Sequence, residues 1–98
     1  MRSIEWSNDA LDDFDDAMGY LARESPAAAD TVAERLLDAI DLLADMPTGR
    51  QGRVRGTYER FVQHTSYVVA YAVSDRTITI LRVIHAKRDW PAGEWPAE

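Results

Sequence analysis

The chain has 98 residues, of which 46% are hydrophobic and 29% are charged, and its formal net charge is −6. These proportions predict one small globular domain over residues 1–98 rather than a fibrous or disordered chain. The longest apolar run, residues 67–73, is far shorter than the roughly 20 residues that cross a bilayer, and no signal sequence is evident, so we expect a cytoplasmic protein. The absence of cysteine excludes disulfides and zinc–thiolate sites, and two histidines are too few for most all-histidine metal sites. We therefore expect no metal, no cofactor and no membrane partner.

The first half of the chain predicts a short strand and two helices. Ile4 and Trp6 alternate with polar residues, which is typical of a strand, and Ser7 or Asn8 can cap the helix that follows. The apolar stripe of the first helix is Leu11, Phe14, Met18 and Leu21. Its other face is Asp12, Asp13, Asp15 and Asp16, which we interpret as a solvated face with docking of a basic partner as the alternative.

Ser25 and Pro26 are a cap and a first helical residue, and they predict that a second helix starts directly after the first. Its apolar stripe is Val32, Leu36, Ala39, Ile40 and Leu43. The helix is expected to end before Pro47. Two helices joined so closely predict an antiparallel hairpin.

The second half predicts a loop at residues 48–56 and three strands at residues 54–63, 67–73 and 77–84, with a tight turn at 74–76. Residues 67–73 are apolar on both faces, which indicates a central strand. Residues 87–98 are expected to form an extended tail. The fold class is therefore α+β in the order β-α-α-β-β-β, with the helical hairpin packed on a small antiparallel sheet. The strand with which the first strand pairs stays open.

The charge is divided unevenly between the two halves. Residues 1–48 have a net charge of −9 and residues 49–98 a net charge of +3, which indicates a basic surface on an acidic protein. Four arginines lie close together with one acidic residue among them: Arg50, Arg53, Arg55 and Arg60. They predict a patch for phosphate or carboxylate groups, unless they pair with the acidic helices of the same molecule.

The last predicted strand carries a charge among apolar residues. Strict alternation places Arg82 on the same face as Ile78, Ile80 and Ile84. A charge in that position needs an internal carboxylate such as Glu5 or Glu59, or an opening to solvent or to another chain. His85 at the strand end is a candidate general base, although an exposed or core-capping histidine is more common.

Together these segments resemble the ParE/RelE superfamily of bacterial type II toxins over nearly the whole chain. The resemblance in the first half rests on Ile4-x-Trp6-Ser7, Ser25-Pro26-Ala27-Ala28 and Pro47-x-Gly49-Arg50-x-Gly52-Arg53-Val54. In the second half it rests on Gly56-Thr57-x-Glu59, Tyr67-Val68-Val69-x-Tyr71 and Ile78-x-Ile80-Leu81-Arg82-Val83-x-His85-x-x-Arg88-x-Trp90-Pro91. The resemblance implies a helical hairpin on an antiparallel sheet, and a toxin that is neutralised by an antitoxin encoded beside it.

The superfamily divides by target, and the resemblance implies two activities. RelE-like members cut messenger RNA in the ribosome, whereas ParE-like members inhibit DNA gyrase without nucleolytic chemistry. RelE-like nucleases often carry a basic residue just ahead of the middle strand, but residues 65–69 contain none, and Lys87 is the only lysine in the chain. We therefore favour the ParE-like function, which is that of a binding protein rather than an enzyme.

The candidate toxic surface is Arg82, His85, Arg88 and Trp90. In the nuclease alternative, Arg82 would hold the phosphate, His85 would transfer a proton and Arg88 would complete the cluster. A third hypothesis is a non-toxic family member that only binds its antitoxin. We expect the antitoxin to cover apolar surface of the hairpin or to add backbone to a sheet edge, and to offer carboxylates to the arginine patch. A homodimer or a toxin–antitoxin heterotetramer is compatible with the sequence.

Overall fold

The computed structural model describes residues 1–87, and residues 88–98, which include nearly all of the predicted tail, lie outside the described part. The elements in chain order are β1 (Ser3–Trp6), α1 (Asn8–Glu24), α2 (Pro26–Asp45), β2 (Arg50–Gln51), β3 (Tyr58–Phe61), β4 (Tyr67–Val73) and β5 (Thr77–His85). The α+β class and the helical hairpin on a sheet are confirmed.

The sheet has five strands in the order β1-β5-β4-β3-β2. β1 pairs in parallel with the first half of β5, from Ser3 opposite Thr77 to Trp6 opposite Ile80. The other three pairs are antiparallel, so the sheet is mixed rather than purely antiparallel. β4 occupies the middle of the sheet, as its two apolar faces predict.

The strand predicted over residues 54–63 is shorter than expected, and a two-residue strand precedes it. Residues 53–56 bend and turn, and Gly56 has a φ of 83°, a left-handed conformation that glycine adopts without strain. Pairing therefore starts only at Tyr58 in β3. β2 pairs with β3 over Arg50 and Gln51 and was not predicted, because two residues between glycines give no periodic pattern.

Serine caps define both helices. The Ser7 hydroxyl accepts a hydrogen bond from the Ala10 N–H (3.0 Å), and the Ser25 hydroxyl accepts one from the Ala28 N–H (3.2 Å). Ser25 is both the C-cap of α1 and the N-cap of α2. One residue therefore separates the helices, and they form the expected hairpin. Such caps contribute about 1 kcal/mol each.

The core lies between the hairpin and one face of the sheet. The stripe predicted for α2 is confirmed, with Leu36, Ile40 and Leu43 buried. The stripe predicted for α1 is confirmed at Phe14, Met18 and Leu21, which pack against the core, but Leu11 is 47% exposed and Ala10 is buried instead. Alanines at the contact allow the axis of α1 to lie close to its neighbours, which explains why the larger Leu11 does not occupy that face.

Gly49, directly before β2, is in close contact with Tyr71 of β4. The Gly49 N–H donates to the Tyr71 Oη at 2.7 Å, and the ring of Tyr58 stacks on Tyr71 at 5.7 Å. Burial raises the pKa of the Tyr71 phenol above its ordinary value. A β-carbon at position 49 would overlap the Tyr71 hydroxyl and lie 2.7 Å from the carbonyl oxygen of Glu59, so glycine is required for this packing.

We predict opposite effects for two glycine substitutions. Gly49→Ala should lower the free energy of unfolding by about 1–3 kcal/mol, because the extra methyl group overpacks a site bounded by backbone and a buried ring. Gly19→Ala on exposed α1, where a β-carbon meets nothing within 4 Å, should raise it by about 0.5–1 kcal/mol through helix propensity. Urea denaturation measures both, and equal stability of the two variants would contradict the assignment.

Candidate functional site

A β-bulge in β5 sets the direction of every side chain at the end of the sheet. Tyr71 of β4 is opposite Ile80, but its neighbour Ala70 is opposite Arg82, so Leu81 is the extra residue. β4 alternates without interruption, and Val83 therefore lies on the helix-side face, where it belongs to the same core as Ile80. The prediction that Arg82 shares a face with Ile78 and Ile80 was wrong, because it assumed an unbroken alternation, whereas Arg82 and Ile84, which both follow the bulge, do lie on one face.

Ser7, at the junction of β1 and α1, forms hydrogen bonds with the backbone at the bulge. Its N–H donates to the carbonyl of Ile80 at 2.9 Å, and its hydroxyl donates to the carbonyl of Leu81 at 2.9 Å. The same hydroxyl accepts the capping hydrogen bond from Ala10. One side chain therefore joins the start of α1 to the bulged backbone.

Arg82 forms a two-pronged ion pair with Asp13 of α1. Its Nε lies 2.7 Å from Oδ2 and its Nη2 lies 3.1 Å from Oδ1, and the N–H of Val83 also donates to Oδ2 at 3.0 Å. The side chains are only 19% and 12% exposed. The partner of Arg82 is thus neither Glu5 nor Glu59, and Asp13 does not belong to a solvated face, since α1 crosses over the end of β5.

A groove of about 530 Å³ adjoins this ion pair, between α1 and the ends of β4 and β5. Its lining residues are Asp13, Asp16, Ala17, Tyr20, Tyr67, Val83, His85 and Lys87. The rings of His85 and Tyr67 meet edge to face at 5.5 Å, and the N–H of Lys87 donates to Nδ1 of His85 at 3.3 Å. Nδ1 of His85 is therefore engaged as an acceptor.

The candidate toxic surface is only partly within the described chain. Arg82 and His85 lie at the same end of β5, on opposite faces of the sheet according to the bulged register. Arg88 and Trp90 lie outside the described residues. Within residues 1–87, no three histidine, cysteine, aspartate or glutamate side chains are grouped as a metal site, and neither helix combines the length and apolar character needed to cross a membrane.

The arginine patch is divided by the fold. Arg53 binds the buried carboxylate of Glu59, which is 5% exposed, with its Nε at 3.0 Å and its backbone N–H at 2.8 Å. Arg60 donates to the hydroxyl of Thr48 at 2.9 Å. Arg50 and Arg55 are exposed and form no ion pair with any residue from 1 to 87. In that part of the chain, none of the four pairs with the acidic helices.

Sequence analysis missed the role of Asp13 and treated Ser7 only as one of two possible caps. Asp13 lies three residues after Ala10 and four before Ala17, and the structure buries both alanines, so Asp13 is on the covered side of α1. The sequence alone does not distinguish it from the neighbouring aspartates. Nothing in the local sequence marks the bulge at Leu81.

We predict that Asp13→Asn lowers the free energy of unfolding by about 2 kcal/mol, because it removes the charge that Arg82 and the Val83 N–H bind in a largely buried setting. Asp15→Asn, on the exposed face of the same helix, is the matched control and should change stability by less than about 0.5 kcal/mol. Urea denaturation at neutral pH tests this, and equal effects of the two substitutions would contradict a structural role for the ion pair.

Comparisons with known proteins show the family of the chain. Residues 4–90 match the family model described as ParE toxin of the type II toxin–antitoxin system parDE. The chain is 36% identical over 91 residues to the candidate toxin Y4kP of Sinorhizobium fredii, covering 92% of this chain and 94% of that protein. It is also 36% identical over 89 residues to toxin RelE2 of Caulobacter vibrioides, covering 90% and 99% of the two chains.

A solved structure of the chromosomal ParDE toxin–antitoxin system of P. aeruginosa has the same fold. Its TM-score is 0.75 at 22% sequence identity, with 87% of this chain and 96% of that chain covered. The family model and the two relatives span almost all of the sequence, including the bulged strand and the helix that holds it. The chain belongs to the ParE toxin family of type II toxin–antitoxin systems.

Proposed function

We propose that this toxin inhibits DNA gyrase in the cytoplasm as a binding protein, without cutting nucleic acid itself. The proposed contact surface is the end of β5 and the residues that follow it, with Arg82, His85, Arg88 and Trp90. The observation that carries the proposal is the engagement of Arg82 by Asp13 through two hydrogen bonds of 2.7 and 3.1 Å.

This engagement argues against nuclease chemistry for a physical reason. Cleavage of RNA by its own 2′-hydroxyl needs a group that takes up the proton and a cation that stabilises the charge on the phosphorane. The charge of Arg82 is already balanced by a carboxylate, and the accepting nitrogen of His85 already receives a backbone N–H at 3.3 Å. We therefore assign both groups to contact with a protein surface, His85 from the groove and Arg82 from the opposite face of the sheet.

The gyrase hypothesis predicts different effects for two histidine substitutions. Purified toxin should block DNA supercoiling by gyrase or trap cleaved DNA, and His85→Asn should raise the concentration needed for half-inhibition by about tenfold. His64→Asn is the matched control, because His64 lies in a turn with a φ of 64°, which asparagine also adopts readily, and lines no part of the groove. It should inhibit as well as the unchanged toxin.

The absence of any effect of the toxin on gyrase at micromolar concentration would refute the proposed target. Inhibition that is equally sensitive to both histidine substitutions would refute the proposed surface. Circular dichroism should show the same thermal transition for both variants, so that a loss of inhibition is not a loss of fold.

We also propose that a cognate antitoxin neutralises the toxin and offers carboxylates to Arg50 and Arg55. Their exposure supports this assignment, since Arg53 already binds Glu59 and Arg60 binds Thr48. Guanidinium groups bind carboxylates in pairs of parallel hydrogen bonds, which gives an antitoxin both affinity and orientation.

The second candidate function is that of a ribosome-dependent messenger RNA endonuclease, and the groove beside His85 supports it. Lys87 and His85 line this groove of about 530 Å³, and the relative from Caulobacter vibrioides is named RelE2. Primer extension on transcripts after induction distinguishes the two functions. Under the gyrase hypothesis no new cuts appear; cuts in translated regions that vanish in the Arg82→Ala, His85→Ala double variant would establish the nuclease instead. Unchanged growth after induction without antitoxin would indicate a non-toxic member.

A further inference from the structure

The β-bulge decides which face of the sheet each residue at the end of β5 occupies. Up to Ile80, the even-numbered residues of β5 face the helices, and after the bulge the odd-numbered residues do, from Val83 to His85. His85 is opposite Tyr67 of β4 and meets its ring on the helix side. A bulge at another position would reverse the faces of all residues between the old and the new position. The make-up of the proposed contact surface therefore depends on where the bulge lies.

Ser7 fixes the position of the bulge by binding two consecutive carbonyl groups. In a regular strand, consecutive carbonyls point to opposite edges. Here the N–H of Ser7 donates to the carbonyl of Ile80 and its hydroxyl donates to the carbonyl of Leu81, each at 2.9 Å. Both carbonyls reach the same residue because the backbone is bulged between them. Leu81 is 1% exposed, so water has little access to replace the hydroxyl.

The Ser7 hydroxyl also caps α1, and the two roles differ in the direction of the hydrogen bond. As the N-cap it accepts the N–H of Ala10 at 3.0 Å, whereas at the bulge it donates. Ser25 caps α2 in the same way, by accepting the N–H of Ala28 at 3.2 Å, but its hydroxyl forms no hydrogen bond with a strand of residues 1–87. The chain thus provides a matched pair of serine caps, of which one is joined to β5.

We propose that Ser7 is a positioning residue for the proposed contact surface. Its hydroxyl holds the bulge at Leu81 and so keeps His85 in the groove and Arg82 on the opposite face of the sheet. Ser7 acts through these side chains and not by contact with the target. The positioning role rests on the proposed function, because the end of β5 is the surface assigned to the target. It gives Ser7 an effect on inhibition that a helix cap alone does not have.

The test separates accepting from donating at position 7. Ser7→Asp keeps an acceptor for the cap but has no hydrogen to donate to Leu81 at neutral pH, whereas Ser7→Thr keeps both functions. Ser25→Asp is the matched control, since it makes the same change of charge at the other cap. Ser7→Asp should raise the concentration for half-inhibition of gyrase by about tenfold, and the other two variants should change it by less than about twofold.

Two NMR measurements do not depend on gyrase. In the unchanged chain, contacts between the ring protons of His85 and Tyr67 should be visible, since the ring centroids lie 5.5 Å apart. In Ser7→Asp these contacts should be lost, and the Val83 amide, which Asp13 binds and Ser7 does not, should exchange its hydrogen at least about tenfold faster. Serine 25 replaced by aspartate should leave both unchanged. If Ser7→Asp does not fold, alanine variants at the two cap positions replace the aspartate variants, with the same expectations.

The proposal is overturned if Ser7→Asp inhibits gyrase as strongly as Ser25→Asp. It is also overturned if inhibition weakens while the ring contact and the Val83 exchange stay unchanged. Failure of the unchanged chain to inhibit gyrase would refute the proposed target instead, and growth arrest on induction without antitoxin then replaces inhibition, with Ser7→Asp expected to be the weakest variant. A chain that neither inhibits gyrase nor arrests growth has no toxic surface to position, which would overturn the proposal as well.

Discussion

The parallel pairing of β1 with only the first half of β5 is the constraint on which the structure at the end of the sheet depends. β1 ends at Trp6 opposite Ile80, and β5 continues to His85. The edge of β5 beyond Ile80 has backbone groups to satisfy, and an unpaired group that is buried costs about as much as a lost hydrogen bond. Ser7 and Asp13 satisfy them at the carbonyl of Leu81 and the N–H of Val83. The first two turns of α1 therefore take the place of a strand.

The contact between α1 and the end of β5 also joins the acidic and basic halves of the chain. Asp13 comes from the half with a net charge of −9 and Arg82 from the half with a net charge of +3, and the pair spans 69 residues of sequence. The second ion pair, between Arg53 and Glu59, lies within the basic half and ties the loop to β3. Arg50 and Arg55 are exposed and, within residues 1–87, form no ion pair. Arginines that are close together in sequence are thus divided by the fold between an internal ion pair and the surface.

The periodic parts of the fold could be predicted from sequence, and the parts that depend on one-residue irregularities could not. The helical stripe of Leu36, Ile40 and Leu43 follows the period of 3.6, and β4 is a continuous run that is apolar on both faces; both predictions were confirmed. The bulge at Leu81 changes the faces of all later residues without changing any residue type, so an alternation argument assigns Arg82 wrongly. The partner of Arg82, Asp13, also escaped prediction, because the five aspartates of α1 cannot be distinguished until the packing of Ala10 and Ala17 shows which face is covered.

The edge of the sheet is covered in two different ways along β5. Over residues 77–80, β1 pairs with β5 and itself becomes the outer strand. Over residues 82–85, the carboxylate of Asp13 on α1 accepts the N–H of Val83, and the groove beside His85 is lined by both polar and apolar side chains. The end of β1 at Trp6 thus separates a part of β5 that is covered by a strand from a part that is covered by a helix, and the proposed contact surface lies in the second part.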